Sequence, residues 1–155
     1  MKKITLIVAA ALTTFACNQL KDNEFIINGD ANGVENGKKV FVEIQTETGS
    51  VVKDTGVVEN GKFELKGITE GIDLGFVRIE NEQISLPIIL EEGKINVSIK
   101  TDTVQNSVIG GTPNNDKFQE FNNESKIIAR KLGKFQKANA EKIKAAKIAN
   151  DTARV

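Results

Sequence analysis

Histidine is absent from the 155 residues, and cysteine occurs once, at Cys17. Without an imidazole the chain cannot assemble a Ser-His or Cys-His pair or a His-ligated metal by itself. One thiol excludes an intramolecular disulfide, a C-x-x-C dithiol and a thiolate zinc cage. Tryptophan and tyrosine are also missing, and the aromatic residues are eight Phe. A core must therefore come from Val, Ile and Leu with a few Phe. Neither sign of charge is in excess, with 21 Lys and Arg against 21 Asp and Glu. Their distribution is uneven. Residues 21–112 carry 9 basic and 16 acidic side chains, whereas residues 113–155 carry 10 and 5. The basic tail interleaves Lys with Ala and Glu rather than with aromatics. It reads as a solvated helix face, and no nucleic-acid partner is expected.

Only one apolar run is long, and it lies at the start. Met1-Lys2-Lys3 is a short positive region, Ile4 to Phe15 carries no charge, and Asn18 to Asp22 turns abruptly polar. The run has the length of a signal-peptide core and is too short to span a bilayer. Cys17, the only cysteine, follows Thr14-Phe15-Ala16, where a lipoprotein signal presents its modified residue. The expectation is a signal peptide over 1–16 and lipidation at Cys17. A lipidated tether then covers 17–24, and the mature chain is held in the cell envelope at the outer membrane, on the periplasmic side or the surface. Each methylene of such an anchor contributes about 0.8 kcal/mol. Thr14 and Ala16 also fit small-x-small secretory cleavage, so a soluble periplasmic product with a free terminal thiol, or an uncleaved anchor, stands as the alternative.

From Phe25 short apolar runs alternate with Gly, Asn and Asp turns. Phe25-Ile26-Ile27 is expected to end at Asn28-Gly29. Lys39–Gln45 forms a strand with Val40, Val42 and Ile44 on one face, and Asn60-Gly61 makes a type I′ turn closing a tight hairpin. Further strands fall around Gly75–Glu80, Ile84–Leu90, Ile95–Ile99 and Val104–Ile109. The β-domain spans 25–112. About seven or eight short antiparallel strands in a sandwich or partly open barrel make the fold mainly β.

Residues 113–155 read as a long C-terminal α-helix or linker, capped by Thr112 with Pro113 in its first turn. Phe118, Phe121, Ser125, Ile128, Leu132 and Phe135 form one apolar stripe. The stripe is expected to pack on the sheet, so that loss of 118–135 is severe and loss of 136–155 mild, with pairing to a second copy as its alternative use. Asp30-x-Asn32-Gly33-x-Glu35 has a faint calcium-loop spacing but reads as a polar strand connection. Glu91-Glu92 reads as a solvated turn rather than an acid/base pair, and Lys38-Lys39 as solubilising charge. No catalytic, cofactor-binding or metal-binding residue is assigned.

Four segments carry a family resemblance: Phe25-x-Ile27-x-Gly29, Val57-x-x-Asn60-Gly61-x-Phe63-x-Leu65-x-Gly67, Leu90-Glu91-x-Gly93-x-Ile95-x-Val97 and Ile109-x-Gly111-Thr112-x-x-Asn115. In this order, over roughly 25–118, they resemble a domain of unknown function found at the N-terminus of TlpA-like (AhpC/TSA-like) thiol:disulfide oxidoreductases of Gram-negative bacteria. There the β-domain follows a lipoprotein signal, and a helix leads into a thioredoxin-like domain bearing the C-x-x-C pair, which these residues lack. The resemblance implies a lipid-anchored, non-catalytic accessory or interaction domain of an envelope redox protein, with no cofactor. Its partners would be the membrane, through Cys17, and a protein or a thioredoxin-like domain met through the C-terminal helix. An N-terminal fragment of a full-length oxidoreductase and a ligand-binding surface lipoprotein are the alternatives.

Overall fold

A computed structural model describes residues 20–152. Cys17, the 1–16 segment and the start of the 17–24 tether lie outside the described residues. Eight strands form two four-stranded sheets, followed by two helices. They are β1 (Glu24–Asp30), β2 (Lys39–Thr46), β3 (Gly49–Val57), β4 (Lys62–Ile68), β5 (Asp73–Ile79), β6 (Ser85–Leu90), β7 (Gly93–Ser98) and β8 (Val108–Gly110). One sheet has the order β4-β1-β7-β8 and the other β3-β2-β5-β6, a sandwich and not a closed barrel. Every ladder is antiparallel except β1 with β7, which is parallel.

Two repeats of one pattern set the register of the first sheet. Phe25-x-Ile27-x-Gly29 on β1 and Phe63-x-Leu65-x-Gly67 on β4 run antiparallel, so Phe25 faces Gly67, Ile27 faces Leu65 and Gly29 faces Phe63. Alternate residues of a strand share a face, and all six point inward. Each ring lies over the opposing glycine. A Cβ on Gly29 would sit 2.0 Å from the Phe63 ring, and one on Gly67 would sit 2.8 Å from that of Phe25. The strand consequently runs through Asn28-Gly29, where a turn is expected from composition. Glycine there makes room for a ring rather than reversing the chain.

Asn60-Gly61 does form the two-residue turn. Asn60 has φ 53° and Gly61 φ 72°, and Glu59 and Lys62 exchange both backbone hydrogen bonds at 2.8 and 3.0 Å. The hairpin stops at that single bridge. Val58 bonds back to Gly37 and Lys38, β3 stays with β2, and β4 leaves for β1 in the other sheet. The turn thus joins two sheets instead of closing one ladder. Val104–Ile109 is likewise divided, with a 3-10 turn at Val104–Asn106 ahead of the short β8.

The core between the sheets is aliphatic, with Ile27, Val40, Val42, Leu65, Val77, Ile88, Leu90 and Ile95 fully buried around Phe25. Beyond it run α1 (Pro113–Ala138) and α2 (Ala140–Thr152). The helix breaks at Asn139, whose side-chain amide and backbone N–H both donate to the Phe135 carbonyl at 2.9 and 3.0 Å. Neither helix is long and apolar enough to cross a membrane.

The apolar stripe of α1 is not core. Phe118 packs against the sandwich, but Phe121, Ile128, Leu132 and Phe135 are exposed. The body is closed by its strands and by the side of α1 that faces β6 as far as Ala129, and the stripe lies on another side of the helix. A chain ended after Ala129 should therefore keep its melting temperature within about 3 °C, as expected for the loss of surface groups worth a few tenths of a kcal/mol. Thermal unfolding by circular dichroism checks this, and a drop of 10 °C or more would restore the stripe to the core.

Candidate functional site

The residues shared by the last two family segments converge where α1 begins. A sandwich of two open sheets exposes edge strands, and on the side opposite β3 and β4 these are β6 in one sheet and β8 in the other. Unpaired edge amides are templates for unwanted pairing, and proteins cover them. β6 carries Pro87, which lacks an N–H, and its next outward-facing residue is Ile89, whose backbone meets the side chain of Asn115. Asn115 Oδ1 accepts from the Ile89 N–H at 2.9 Å, and its Nδ2 donates to the Ile89 carbonyl at 2.7 Å. The amide thereby substitutes for one residue of a neighbouring strand. Its second N–H goes to Thr112 Oγ1 at 2.8 Å, and the side chain is fully buried. One turn later, Gln119 Oε1 takes the Ile109 N–H of β8 at 2.8 Å. The start of α1 closes the open side of the sandwich by bonding both edges.

Glu91 completes the clamp. Thr112 occupies the N-cap position, yet its hydroxyl makes no capping bond. The Glu91 carboxylate supplies the cap from outside the helix, accepting from the Asn114 backbone N–H at 3.0 Å and from Asn114 Nδ2 at 2.6 Å. A carboxylate at this end also meets the positive end of the helix dipole. Glu91 is thus buried at 8% exposure, which corrects its reading as a solvated turn. Glu92, next to it, is exposed and accepts the Asn23 N–H at 3.2 Å. Glycine serves the same joint: Gly111 has φ 95°, and a Cβ on it would lie 2.5 Å from the Lys94 carbonyl oxygen.

Burial pushes the Glu91 carboxyl up. The hydrogen bonds from Thr112, Asn114 and the Asn115 backbone outweigh it and hold the group below its ordinary value. Glu43 is held low as well, by a hydrogen bond from Ser50 at 2.7 Å and, against its burial, by Arg78 at 2.9 Å. A carboxyl whose pKa falls on folding stabilises the protein above its unfolded value and loses that contribution as pH drops through the folded one. Stability should therefore decline below about pH 4.5, the ordinary glutamate value, and Glu91→Gln should flatten that decline while lowering stability at pH 7. Melting temperatures from pH 3 to 7 measure it, and an unchanged slope in Glu91→Gln would count against the carboxylate cap.

Two hollows flank the clamp. The outer face of the β4-β1-β7-β8 sheet forms an open one of about 910 Å3. Across it Glu64, Asn28 and Asn96 share one level and Lys62, Asp30 and Ser98 the next. Lys62 is paired with Asp30 at 2.7 Å and Glu64 with Lys66 at 2.8 Å, while Glu59 and Asp116 add acidic groups to the lining. This face offers hydrogen bonds to a polar ligand. A second, more apolar groove of about 530 Å3 runs between α1 and β6, lined by Leu86, Pro87, Val104, Asn122 and Ala129.

The remaining motifs resolve into structure. Asp30 pairs with Lys62, and Val34 N–H bonds the Ala31 carbonyl at 3.1 Å, so Asp30–Glu35 is a strand connection. Among the described residues no group of three or more His, Cys, Asp or Glu side chains is placed to hold a metal ion. Lys38 reaches Glu82 at 3.7 Å, and Lys39 is exposed. Asn115, Gln119 and Glu43 carry the polar geometry that periodicity overlooks. Only Asn115 had a signal, as the last residue of a family segment.

No curated protein and no solved structure matches the chain. The family model of a domain of unknown function, DUF4369, matches residues 25–118, from the first ring of the Phe–Gly pairs to the last residue of α1 packed on the core, and the chain belongs to that family.

Proposed function

We propose that the chain is a non-catalytic interaction module of the cell envelope, anchored by lipid on Cys17, whose sandwich presents α1 as a docking surface. One observation carries this reading. The family's polar residues fix the start of α1 through buried hydrogen bonds, while the stripe from Phe121 to Phe135 is left exposed. Buried polar networks hold one geometry, so the helix leaves the body in a set direction. The resemblance to domains that precede thioredoxin-like reductases supports a partner in envelope thiol-disulfide chemistry, supplied by another domain or chain.

The test is photo-crosslinking in cells from Ile128→p-benzoylphenylalanine, compared with the same group at Asn28. Protein adducts specific to position 128 are expected. Equal labelling, or none, would overturn the docking role. The anchor is tested separately with a clickable palmitate analogue. Label should be lost in Cys17→Ala, and label retained in that variant would remove Cys17 from the reading.

A second reading is ligand binding on the polar outer face of the β4-β1-β7-β8 sheet, favoured by its hollow. Glycans and envelope metabolites should then raise the melting temperature in wild type and not in Asn96→Ala, and no shift in wild type would remove this reading.

A further inference from the structure

We propose that the partner of α1 is a second copy of the same chain, paired antiparallel along the exposed stripe. The inference rests on the reading of α1 as a presented surface and names what covers it. Phe121, Ser125, Ile128, Leu132 and Phe135 follow one another at alternating steps of four and three residues, the spacing of a coiled-coil seam. The four apolar members are 63%, 65%, 53% and 61% exposed. Lys126, Arg130, Lys134 and Lys137 lie on the opposite side of the helix and leave the seam clear.

Charge selects the direction. In an antiparallel pair whose layers match Phe121 to Leu132 of the second copy and Ser125 to its Ile128, the residues flanking the seam on one side are Glu124 and Lys131. Flanking positions of this kind face their equivalents in an antiparallel pair, so Glu124 of each copy meets Lys131 of the other. Two symmetric ion pairs result, as a two-fold interface requires. The same register brings Phe135 to the Phe118 of the other copy, at the edge of its core. It also lays the basic end of each helix toward the acidic sandwich of the other copy, with net charges of +5 over 113–155 and −7 over 21–112. A parallel pair would set two sandwiches of net −7 side by side and match neither flanking charge.

The full chain in a mild non-ionic detergent, measured by size exclusion with light scattering and by sedimentation, decides the matter. The protein part should have the mass of two chains. Lys131→Glu and Glu124→Lys should each weaken association about tenfold, because two attractive pairs become two repulsive ones, and the double variant should recover most of it. Leu132→Ser should give the monomer, with the melting temperature of wild type diluted below its dimer dissociation constant, since the residue is exposed in the single chain. A monomeric wild type at 50 to 100 micromolar, or a double variant no tighter than the singles, overturns the antiparallel pair. If that monomer still gives adducts to another protein at position 128, the docking role stands and the second copy falls. Flotation of the Cys17→Ala protein with anionic vesicles, lost on adding Leu132→Ser, would assign the stripe to lipid instead.

Discussion

Replacing Asn115 with Ala should lower the melting temperature by roughly 10–15 °C, the largest effect expected of any polar residue in the chain. The side chain is fully buried and makes three hydrogen bonds, two of them to the backbone of Ile89. Truncation leaves the Ile89 N–H and carbonyl facing a void at an edge that has no other strand. An orphaned buried donor or acceptor costs about 1–3 kcal/mol, so the pair together with the small cavity amounts to about 3 kcal/mol. Asn115→Asp separates the hydrogen-bond account from simple packing. An ionised carboxylate still accepts the Ile89 N–H but opposes the Ile89 carbonyl. At pH 7 this variant should be no more stable than Asn115→Ala. Near pH 4 it should regain part of the loss, because a protonated carboxyl donates where the amide did. A folded-state carboxyl disfavoured in its charged form binds its proton more tightly than in the unfolded chain, so the gain relative to wild type appears as pH falls. Equal stability of wild type and Asn115→Ala would mean that the edge of β6 is held by something other than this amide.

Glu91, Asn115 and Gln119 also mark the limit of what a sequence discloses. The sandwich itself was legible. Alternation at Lys39–Gln45 and at Ile95–Ile99, with Asn-Gly and Gly turns between runs, specifies inward and outward faces and hence strands with one buried side. What alternation cannot say is which strand lies beside which. β4 was read as the second arm of a hairpin because Asn60-Gly61 precedes it, and its partner is β1, some forty residues earlier in the chain. The stripe on α1 failed for a related reason. Periodicity reports that a helix has an apolar side, and says nothing of whether the body has surface left to receive it. Glu91 looked solvated because two adjacent acids before a glycine usually are. Its burial depends on a helix that begins more than twenty residues later and needs an acceptor at its first turn.

Gly29→Ala should be about as costly as Asn115→Ala, and it tests the Phe–Gly pairing directly. The added methyl would overlap the Phe63 ring, with ring carbons 2.0, 2.2 and 2.4 Å from the new carbon. Phe63 is 6% exposed and faces Gly29 in a paired register, so neither strand can slide to relieve the overlap without breaking the Ile27–Leu65 layer. The ring has to turn toward solvent or the strands have to part. Overpacking of this kind costs about 1–3 kcal/mol, and here the ring's burial is forfeited as well, which puts the loss near 3 kcal/mol. Gly67→Ala should cost less, since its nearest ring atoms in Phe25 stand at 2.8 and 3.0 Å and a shift of a few tenths of an ångström relieves most of the strain. The decisive measurement is a double-mutant cycle by denaturant unfolding. Phe63→Leu alone shrinks the side chain and opens a gap over Gly29, whereas Phe63→Leu with Gly29→Ala fills that gap with the new methyl. The double variant should be more stable than the sum of the single losses predicts, by 1 kcal/mol or more, the range seen for residues in direct contact. The same cycle with Phe25→Leu in place of Phe63→Leu should be additive, because Phe25 covers Gly67 at the far end of the pair. Additivity in both cycles would mean that the ring over Gly29 is incidental, and that the repeated Phe-x-aliphatic-x-Gly pattern sets the register of β1 and β4 by some other means.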